Sequence, residues 1–249
     1  MEVTKYEPGQ FCWVELATND AAGAKAFYGG LFGWTYDEMP MDVTPYIIAK
    51  VGSGSTGAMY ENKKVPPHWL VYVNVENADD VAAKAKSLGA KIDAEPFDVG
   101  DVGRMALITD PEGATFAIWQ AKNSIGATAT NEPGVFVWNE LMAHNGDAER
   151  TFYTSLFGWT AKVSPEYTEW HAGDKARGGF LEMKEARFEG VPPFWNTYFM
   201  VTDVDASVAK AKSLGASVHH EPTDIPNTGR FAVLGDPQGA SFSIFKPNM

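Results

Sequence analysis

The sequence has very little cysteine and no excess of basic residues. Its 249 residues include one cysteine, Cys12, which excludes an internal disulfide framework and any zinc cluster built from cysteines. Lys and Arg number 20 against 32 Asp and Glu, giving a net charge of −12. Nucleic acid and anionic membrane surfaces both require clustered basic residues, so we expect neither as a partner.

Long apolar runs are also missing. No stretch approaches the ~18 consecutive apolar residues of a membrane-spanning helix. The first eight residues have neither the basic start nor the apolar run of a secretory signal peptide, so we expect a cytoplasmic protein. With 45% hydrophobic and 21% charged residues, the composition is that of a folded globular chain.

An internal repeat is the most informative feature that the sequence does contain. The first copy begins near Pro8 and the second near Pro133, and matching segments follow in the same order along both copies. So many ordered matches indicate a duplication. The matched segments are PGQFCWVEL at 8–16 with PGVFVWNEL at 133–141, FY…LFGW at 27–34 with the same motif at 152–159, VPPHW at 65–69 with VPPFW at 191–195, AKAKSLGA at 83–90 with the identical octapeptide at 209–216, and GR…DPEGA at 103–114 with GR…DPQGA at 229–240.

The duplication predicts two domains, over residues 1–122 and 131–249. The segment between them, residues 123–130, is small and polar without periodicity, and we interpret it as a linker. Each domain divides again into two halves of order β-α-β-β-β. In the first domain, Asn19 or Asp20 can cap one helix that ends at Gly33, and Asn77 can cap another that ends at Gly89. We therefore predict four such modules in the chain.

These features resemble the vicinal oxygen chelate superfamily, which includes glyoxalase I, bleomycin-resistance proteins, fosfomycin-resistance enzymes and extradiol dioxygenases. The resemblance is carried by FY…LFGW, by the helix end SLGA and by the closing GR…DPEGATFAIW, and it is strongest to tandem glyoxalase-like proteins of actinobacteria. It implies an α+β fold of four βαβββ modules in two tandem glyoxalase-like domains. Each module pair would form an incomplete curved barrel, a cup whose concave face holds a metal and a substrate with two neighbouring oxygens.

The resemblance also implies metal ligands, usually His, Gln or Glu on the first strand of each module and Glu on the last. The corresponding residues are Trp13, Trp138, Leu70, Asn196, Ala117 and Ser243. Trp, Leu and Ala cannot coordinate a divalent cation, and Asn and Ser are poor ligands for a catalytic one. None of the five histidines recurs in the other repeat. We therefore predict no cofactor, and a divalent metal at Glu140 and His171 remains an alternative.

Two glutamates stand one step from the tryptophans at these positions. Side chains alternate between the two faces of a strand, so Trp13 and Glu15 share one face, as do Trp138 and Glu140. We expect each glutamate to lie in an aromatic cup. The other residues predicted to line the cups and contact a ligand are Tyr72, Tyr198, Trp119, Phe245 and Asn196.

A glutamate surrounded by aromatic side chains is desolvated, which raises its pKa and prepares it for general acid or base work. We therefore predict a protein that binds a small organic molecule, with lyase or isomerase chemistry in which Glu15 or Glu140 moves a proton without the usual metal. In a structural alternative, each glutamate hydrogen-bonds to or pairs with a barrel residue, and Arg104 and Arg230, which follow the repeated glycine of the GR dipeptide, are available for this.

Other functional alternatives remain open at this point. One is a non-catalytic protein that sequesters a drug or metabolite, as bleomycin-resistance proteins do. Another is a metal-dependent glyoxalase or dioxygenase with displaced ligands, and a third is a structural remnant that has lost its ligand. Four modules can complete two cups within one chain, so the oligomeric alternatives are a monomer and a homodimer.

Two further features receive structural interpretations. By strand alternation Cys12 faces away from Trp13, and we expect it to be a small buried apolar residue. The segment Gly52–Gly57 has the spacing of a dinucleotide-binding fingerprint, but no helix is predicted after it. We therefore predict a hairpin loop there.

Overall fold

The computed structural model describes residues 3–40 and 44–248, and its strands form two separate eight-stranded sheets. The first sheet has the strand order β2-β3-β4-β1-β5-β8-β7-β6. The elements of this first domain are β1 Phe11–Thr18, α1 Ala21–Phe32, β2 Thr35–Met39, β3 Tyr46–Val51, β4 Gly54–Glu61, β5 His68–Asn74, α2 Ala78–Ser87, β6 Lys91–Val99, β7 Gly103–Thr109 and β8 Thr115–Ala121.

The second sheet repeats this order as β10-β11-β12-β9-β13-β16-β15-β14. A short 3₁₀ helix, Ala186–Phe188, lies between β12 and β13 along the chain. The elements of this second domain are β9 Phe136–Ala143, α3 Gly146–Phe157, β10 Thr160–Val163, β11 Thr168–Ala172, β12 Lys175–Glu182, β13 Phe194–Met200, α4 Val204–Ser213, β14 Ser217–Ile225, β15 Gly229–Gly235 and β16 Ser241–Pro247.

Both domains have the same internal symmetry. In the first, β1 and β5 lie antiparallel at the centre of the sheet, and each also pairs in parallel with the last strand of its own module, β4 or β8. In the second, β9 and β13 take the central places, beside β12 and β16. The predicted α+β fold of four βαβββ modules in two open cups is confirmed, since neither curved sheet closes into a barrel.

The helices begin and end where the sequence predicts. The Asp20 carboxylate accepts the Gly23 N–H at 2.9 Å at the start of α1, and Asn77 accepts the N–H groups of Asp79 and Asp80 at the start of α2. Gly33 ends α1 with a φ of 76°, a left-handed conformation that costs glycine little. These local signals explain why the helix boundaries can be read from the sequence.

The two domains pack against each other through their convex faces and share one hydrophobic core. A single cluster of buried side chains contains Tyr28 and Phe27 of α1 together with Phe199 and Phe242 of the second domain. Tyr28 meets Phe242 edge to face, with ring centroids 5.4 Å apart. Neither domain therefore has a separate core on its helical side, and separating them would expose much apolar surface.

The repeated motifs hold this interface together reciprocally. The Tyr28 hydroxyl donates to Asp236 at 3.0 Å, and the equivalent Tyr153 donates to Asp110 at 2.8 Å. The indole of Trp34 donates to the Gly134 carbonyl at 2.8 Å. In the opposite direction, the Trp159 indole donates to the Gly9 carbonyl at 3.1 Å. Much of the internal repetition in the sequence thus serves domain packing.

The interpretation of Cys12 is correct for burial and wrong for direction. Cys12 is fully buried, but it joins Tyr72 and Trp119 in a small apolar cluster on the concave face, against which Trp13 also packs. The register between β1 and β5 shifts between Phe11 and Trp13, so this part of β1 contains a bulge. A bulge interrupts strict alternation, and Cys12 therefore faces the same side as Trp13.

Two further observations concern the glycine-rich segment and the lengths of the helices. The glycine-rich segment after residue 51 turns between β3 and β4, which pair antiparallel, so the hairpin prediction is confirmed. In the part of the chain that the structure describes, no helix is long and apolar enough to cross a membrane.

Candidate functional site

The cup of the first domain contains a buried carboxylate held by two tyrosines. Glu15 lies on β1 and is 8% exposed. The Tyr46 hydroxyl donates to Glu15 Oε2 at 2.7 Å, and the Tyr72 hydroxyl donates to Glu15 Oε1 at 3.1 Å. The Trp13 indole donates to the Tyr46 oxygen at 3.0 Å. Trp13, Glu15 and Tyr72, which the sequence predicts in one cup, therefore belong to one hydrogen-bond network.

The cup of the second domain repeats this network. Glu140 on β9 is 7% exposed, and the Tyr198 hydroxyl donates to its Oε1 at 2.8 Å. The Trp138 indole donates to the Tyr167 oxygen at 3.0 Å, and the Tyr167 hydroxyl lies close enough to Glu140 to lower its pKa. A side chain at Gly179 would overlap the Tyr167 hydroxyl, so a larger residue there would require this tyrosine to shift.

Burial dominates the electrostatics of both carboxylates. It raises the pKa of Glu15, while hydrogen bonds from Tyr46 and Tyr72 lower that pKa by a smaller amount. Burial also raises the pKa of Glu140, against the smaller effect of its own two tyrosines. A carboxyl group with a raised pKa is a stronger base when ionised and a usable acid when protonated.

The structural alternative, in which each glutamate bonds to a barrel residue, agrees with the tyrosine contacts of Glu15 and Glu140, but its candidate partners Arg104 and Arg230 lie elsewhere. Arg104 binds Asp79 through Nε and Nη2, both at 2.8 Å, and it reaches Asp98 at 3.3 Å. Arg230 makes the equivalent contacts to Asp205 and Asp224. These carboxylates are exposed and lie close to the arginines on neighbouring elements, so the guanidinium groups stay at the surface.

The walls of the two cups differ in polarity. In the first cup, Leu70 lies opposite Glu15 and Ala117 lies beside Tyr72. In the second, Asn196 lies opposite Glu140 and Ser243 lies beside Tyr198. The Asn196 amide donates to Ser243 Oγ at 2.7 Å. Its carbonyl oxygen, Oδ1, is buried and has no hydrogen-bond partner within residues 3–40 and 44–248.

Trp119 and Phe245 close the equivalent ends of the two cups differently. Trp119 is buried in the apolar cluster with Tyr72, and its indole donates to the Ser124 carbonyl in the predicted linker at 2.9 Å. Phe245, the equivalent residue on β16, is half-buried. At this end of the first cup, the linker that follows β8 contacts Trp119.

Sequence reasoning missed Tyr46 and Tyr167, the second tyrosine of each network. They are equivalent residues, but they lie 121 positions apart, whereas Trp13 and Trp138 lie 125 apart. The connection before this strand is shorter in the second repeat, so a search at constant offset does not align them. The available signal was a tyrosine at the start of β3 and another immediately before β11.

The alternative metal pair, Glu140 and His171, has other partners in the structure. His171 is 5% exposed, and its Nε2 lies 2.9 Å from Glu169 Oε2, its neighbour on β11. Over the described residues, no three His, Cys, Asp or Glu side chains come close enough together to hold a metal ion.

Comparison with known proteins agrees with this architecture. Residues 10–118 match the profile of the Glyoxalase/Bleomycin resistance protein/Dioxygenase superfamily, and residues 138–245 match that of a glyoxalase-like domain. "Putative glyoxylase CFP32" of Mycobacterium bovis is 41% identical over 98% of this chain and 97% of its own length. The chain belongs to the glyoxalase superfamily.

Other relatives and solved structures extend this result. "Anthracycline biosynthesis protein DnrV" of Streptomyces peucetius is 34% identical to this glyoxalase-like protein, over 97% of this chain and 94% of its own. The Mn(II)-bound glyoxalase of Novosphingobium aromaticivorans superposes with a TM-score of 0.69 at 14% identity, covering 99% of this chain and 83% of that one. The 2,3-dioxygenase LapB of Pseudomonas sp. KL28 gives 0.67 at 13% identity, covering 98% and 94%.

The superfamily implies a metal on the concave face, and the donor set of this protein does not fit one. The closing strands place Ala58 beside Glu15 and Gly179 beside Glu140. Both cups therefore offer a single carboxylate where a catalytic cation needs three or more ligands. The residues at the metal-ligand positions that the superfamily implies are Trp13, Ala58, Leu70 and Ala117 in the first cup, and Trp138, Gly179, Asn196 and Ser243 in the second.

Proposed function

We propose that this glyoxalase-like protein binds a small hydroxylated carbonyl compound in the cup of the second domain and that Glu140 moves a proton on that ligand. The supporting observation is the combination of a buried carboxylate with an unpartnered acceptor. Glu140 lies directly opposite Asn196, whose Oδ1 is buried without a hydrogen bond to any described residue. An unpaired buried polar atom is costly unless something pairs with it.

Each residue of the second cup would have its own role in binding or proton transfer. A ligand hydroxyl would donate to Asn196 Oδ1, and Trp138 would pack against the ligand. Ionised Glu140 would take a proton from the carbon next to the ligand carbonyl. The electrons of the broken C–H bond would form a carbon–carbon double bond, and the carbonyl π electrons would move to oxygen, which gives an enolate. The Tyr198 hydroxyl could then donate to the enolate oxygen, because protonated Glu140 is a weaker acceptor. Return of the proton to the former carbonyl carbon, together with transfer of the ligand hydroxyl proton to the former carbonyl oxygen, would complete an isomerisation.

The environment of Glu140 supports this role. Burial raises its pKa, which moves a carboxyl group towards the range in which acids and bases exchange protons near neutral pH. A relative named as a glyoxylase also supports a carbonyl compound as the ligand class.

Hydrogen–deuterium exchange at carbon tests the proposal directly. Dihydroxyacetone, incubated with the protein in D₂O, should lose its C–H signals in proton NMR faster than in buffer alone. We expect Glu140→Gln to reduce this enzyme-dependent exchange by about 100-fold or more, because a general base contributes 10²–10⁴-fold. The matched variant Glu15→Gln should retain most of it. Equal loss in both variants, or no exchange with the wild type, would contradict the proposal.

A second candidate function, ligand binding without chemistry, is favoured by the first cup. There Glu15 accepts two tyrosine hydroxyls, and Leu70 and Ala117 replace the polar pair of the second cup. Such walls bind apolar surface but offer no free acceptor. Titration with a planar aromatic amine, proflavine, while following tryptophan fluorescence, would distinguish the two. Saturable quenching without any carbon exchange would favour a sequestering protein.

A further inference from the structure

The slot between the beginnings of β1 and β4 is filled in the first domain. These parallel strands diverge at their starts, and the linker lies between them. The Ala127 N–H donates to the Cys12 carbonyl at 2.8 Å, and the Thr128 N–H donates to the Ser55 carbonyl at 2.9 Å. The Ser55 N–H donates in return to Thr128 Oγ1 at 2.9 Å. The polypeptide itself thus occupies this slot.

The equivalent slot of the second domain lies between the beginnings of β9 and β12, and no segment of the described chain fills it. A cavity of about 270 Å³ lies there, closed on the other side by the N-terminal segment and the end of the linker. Val137 and Ala176, the counterparts of Cys12 and Ser55, both line it. Outside the strand ladders, neither makes a backbone hydrogen bond to the described part of the chain.

Arg177 is the extra residue of a bulge at this point. Trp170 pairs with Gly178 and His171 pairs with Ala176, which leaves Arg177 without an opposing residue. Its Nε is buried and has no hydrogen-bond partner among residues 3–40 and 44–248. The counterpart in the first domain is the extra residue between Ser55 and Gly57, a threonine. A buried guanidinium nitrogen without an acceptor indicates a place for an anion.

The lining of the cavity has matching chemistry. Its charged residues are Lys5 and Arg177, and no acidic side chain of the described chain lines it. The nearest acidic influence on Arg177 comes from Glu7, whose carboxylate lies 4.0 Å from Lys5 Nζ. Phe11 and Trp138 add apolar and aromatic surface. The volume is at the small end of ligand pockets, so a compact molecule would fill it.

We propose that this interdomain cavity binds a small aromatic carboxylate, whose carboxylate pairs with Arg177 and whose ring packs on Phe11 and Trp138. The site is separate from the Glu140 carboxylate, although Trp138 borders both. Arg177 is well suited to the role because guanidinium groups bind carboxylates through paired, charge-assisted hydrogen bonds.

Phenylacetate is the probe for the experiment, and phenylacetamide is its uncharged counterpart. Binding is measured by calorimetry, and NMR follows the Nε–H signal of Arg177. We expect saturable binding of phenylacetate that shifts this signal, and affinity for phenylacetamide at least about tenfold lower. Arg177→Gln should weaken phenylacetate binding by about tenfold or more, and the exposed control Lys175→Gln should leave it within about twofold.

A second variant keeps the test decisive if Arg177→Gln does not fold. Asn131 lines the cavity, and Asn131→Asp adds a negative charge with almost no change in shape. It should weaken phenylacetate and leave phenylacetamide unchanged. Absence of saturable phenylacetate binding to the wild type would overturn the proposal. Equal affinity for acid and amide, or wild-type affinity in Arg177→Gln, would do the same.

Discussion

The two cups share a buried carboxylate between two tyrosines, and they differ in the walls around it. Glu15 accepts hydrogen bonds from both of its tyrosines, whereas Glu140 accepts one from Tyr198 and has Tyr167 close by. Opposite them stand Leu70 in one cup and Asn196 in the other. A duplication keeps what both copies need in order to fold, so the shared network alone says little about chemistry. The diverged polar wall is the stronger argument for function in the second domain.

A similar divergence occurs at the interface between the domains. Ala24 on α1 is fully buried, and its counterpart on α3 is Glu149, also fully buried. Neither carboxyl oxygen of Glu149 has a hydrogen-bond partner in the described residues. Burial, followed by the charges of Asp110 and Glu112, raises the pKa of Glu149 to about 9. The interface therefore contains a buried acid on α3 and an alanine at the equivalent position on α1.

The largest effect is expected from moving this acid into the other copy. Ala24→Glu would bury a carboxyl group near Asp236, which already accepts the Tyr28 hydroxyl. We expect the free energy of unfolding to fall by about 3–5 kcal/mol, because the group would be buried without a positive partner. Urea unfolding measures it. The control Ala26→Glu, exposed on the same helix, should change stability by less than about 0.5 kcal/mol.

Exchanging the cup walls should have the next largest effect. Asn196→Leu gives the second cup the apolar residue of the first and removes the unpartnered Oδ1. If that oxygen accepts a ligand hydroxyl, carbon exchange should fall by about 10–100-fold with Glu140 intact. The reverse change, Leu70→Asn, should leave exchange unaltered in a wild-type background. If the rate of carbon exchange is unchanged in Asn196→Leu, the ligand does not bind to Asn196 Oδ1.

Glu149→Gln should make the protein more stable at high pH. The folded-state pKa of about 9 lies above the ordinary glutamate pKa of 4.5, so unfolding releases a proton between these values. The stability of the wild type should therefore decline as pH rises through this window. At pH 8 we expect Glu149→Gln to be about 1–3 kcal/mol more stable than the wild type.

Urea unfolding at pH 4, 6 and 8 would check this window. Near pH 4 the carboxyl group is protonated in both states, and the advantage of Glu149→Gln should vanish. Glu76→Gln, an exposed substitution, serves as the control and should follow the wild-type curve. A constant advantage at all three pH values would mean that packing, and not ionisation, is responsible.

Much of the fold and part of the site could be predicted because they depend on local pattern. Strand alternation places Trp13 and Glu15 on one face, and both join the same network. Tyr46 could not be placed this way, because its position depends on loop length and on pairing across three strands. The contact of Trp34 with Gly134 spans 100 residues, and nothing in a single sequence tells which faces will pack.

Arg104 shows a different failure. The sequence offered it as a partner for Glu15 because a buried acid needs a donor and arginine is a good one. The structure satisfies Glu15 with tyrosines and places Arg104 at the surface, next to Asp79. Tyrosines provide donors without burying a second charge, which avoids much of the desolvation cost of an ion pair.

The smallest effect is expected where the two copies have not diverged, and it sets the baseline for every difference above. Arg104 and Arg230 make equivalent paired contacts, at 2.8 Å and 2.8 Å to Asp79 and at 2.8 Å and 2.9 Å to Asp205. The aspartates are more than half exposed. We expect Arg104→Gln and Arg230→Gln each to cost less than about 1 kcal/mol, because solvent and salt screen surface ion pairs.

Urea unfolding at low and high salt would measure both variants. The two losses should agree within about 0.5 kcal/mol, and both should shrink at 1 M salt, where the Debye length is about 3 Å. Because the contacts match in each domain and the domains share one core, unequal losses would show that the copies respond differently even where their structures coincide. Differences between Glu15 and Glu140 variants could then no longer be attributed to the cup walls alone. Equal losses would make that attribution secure.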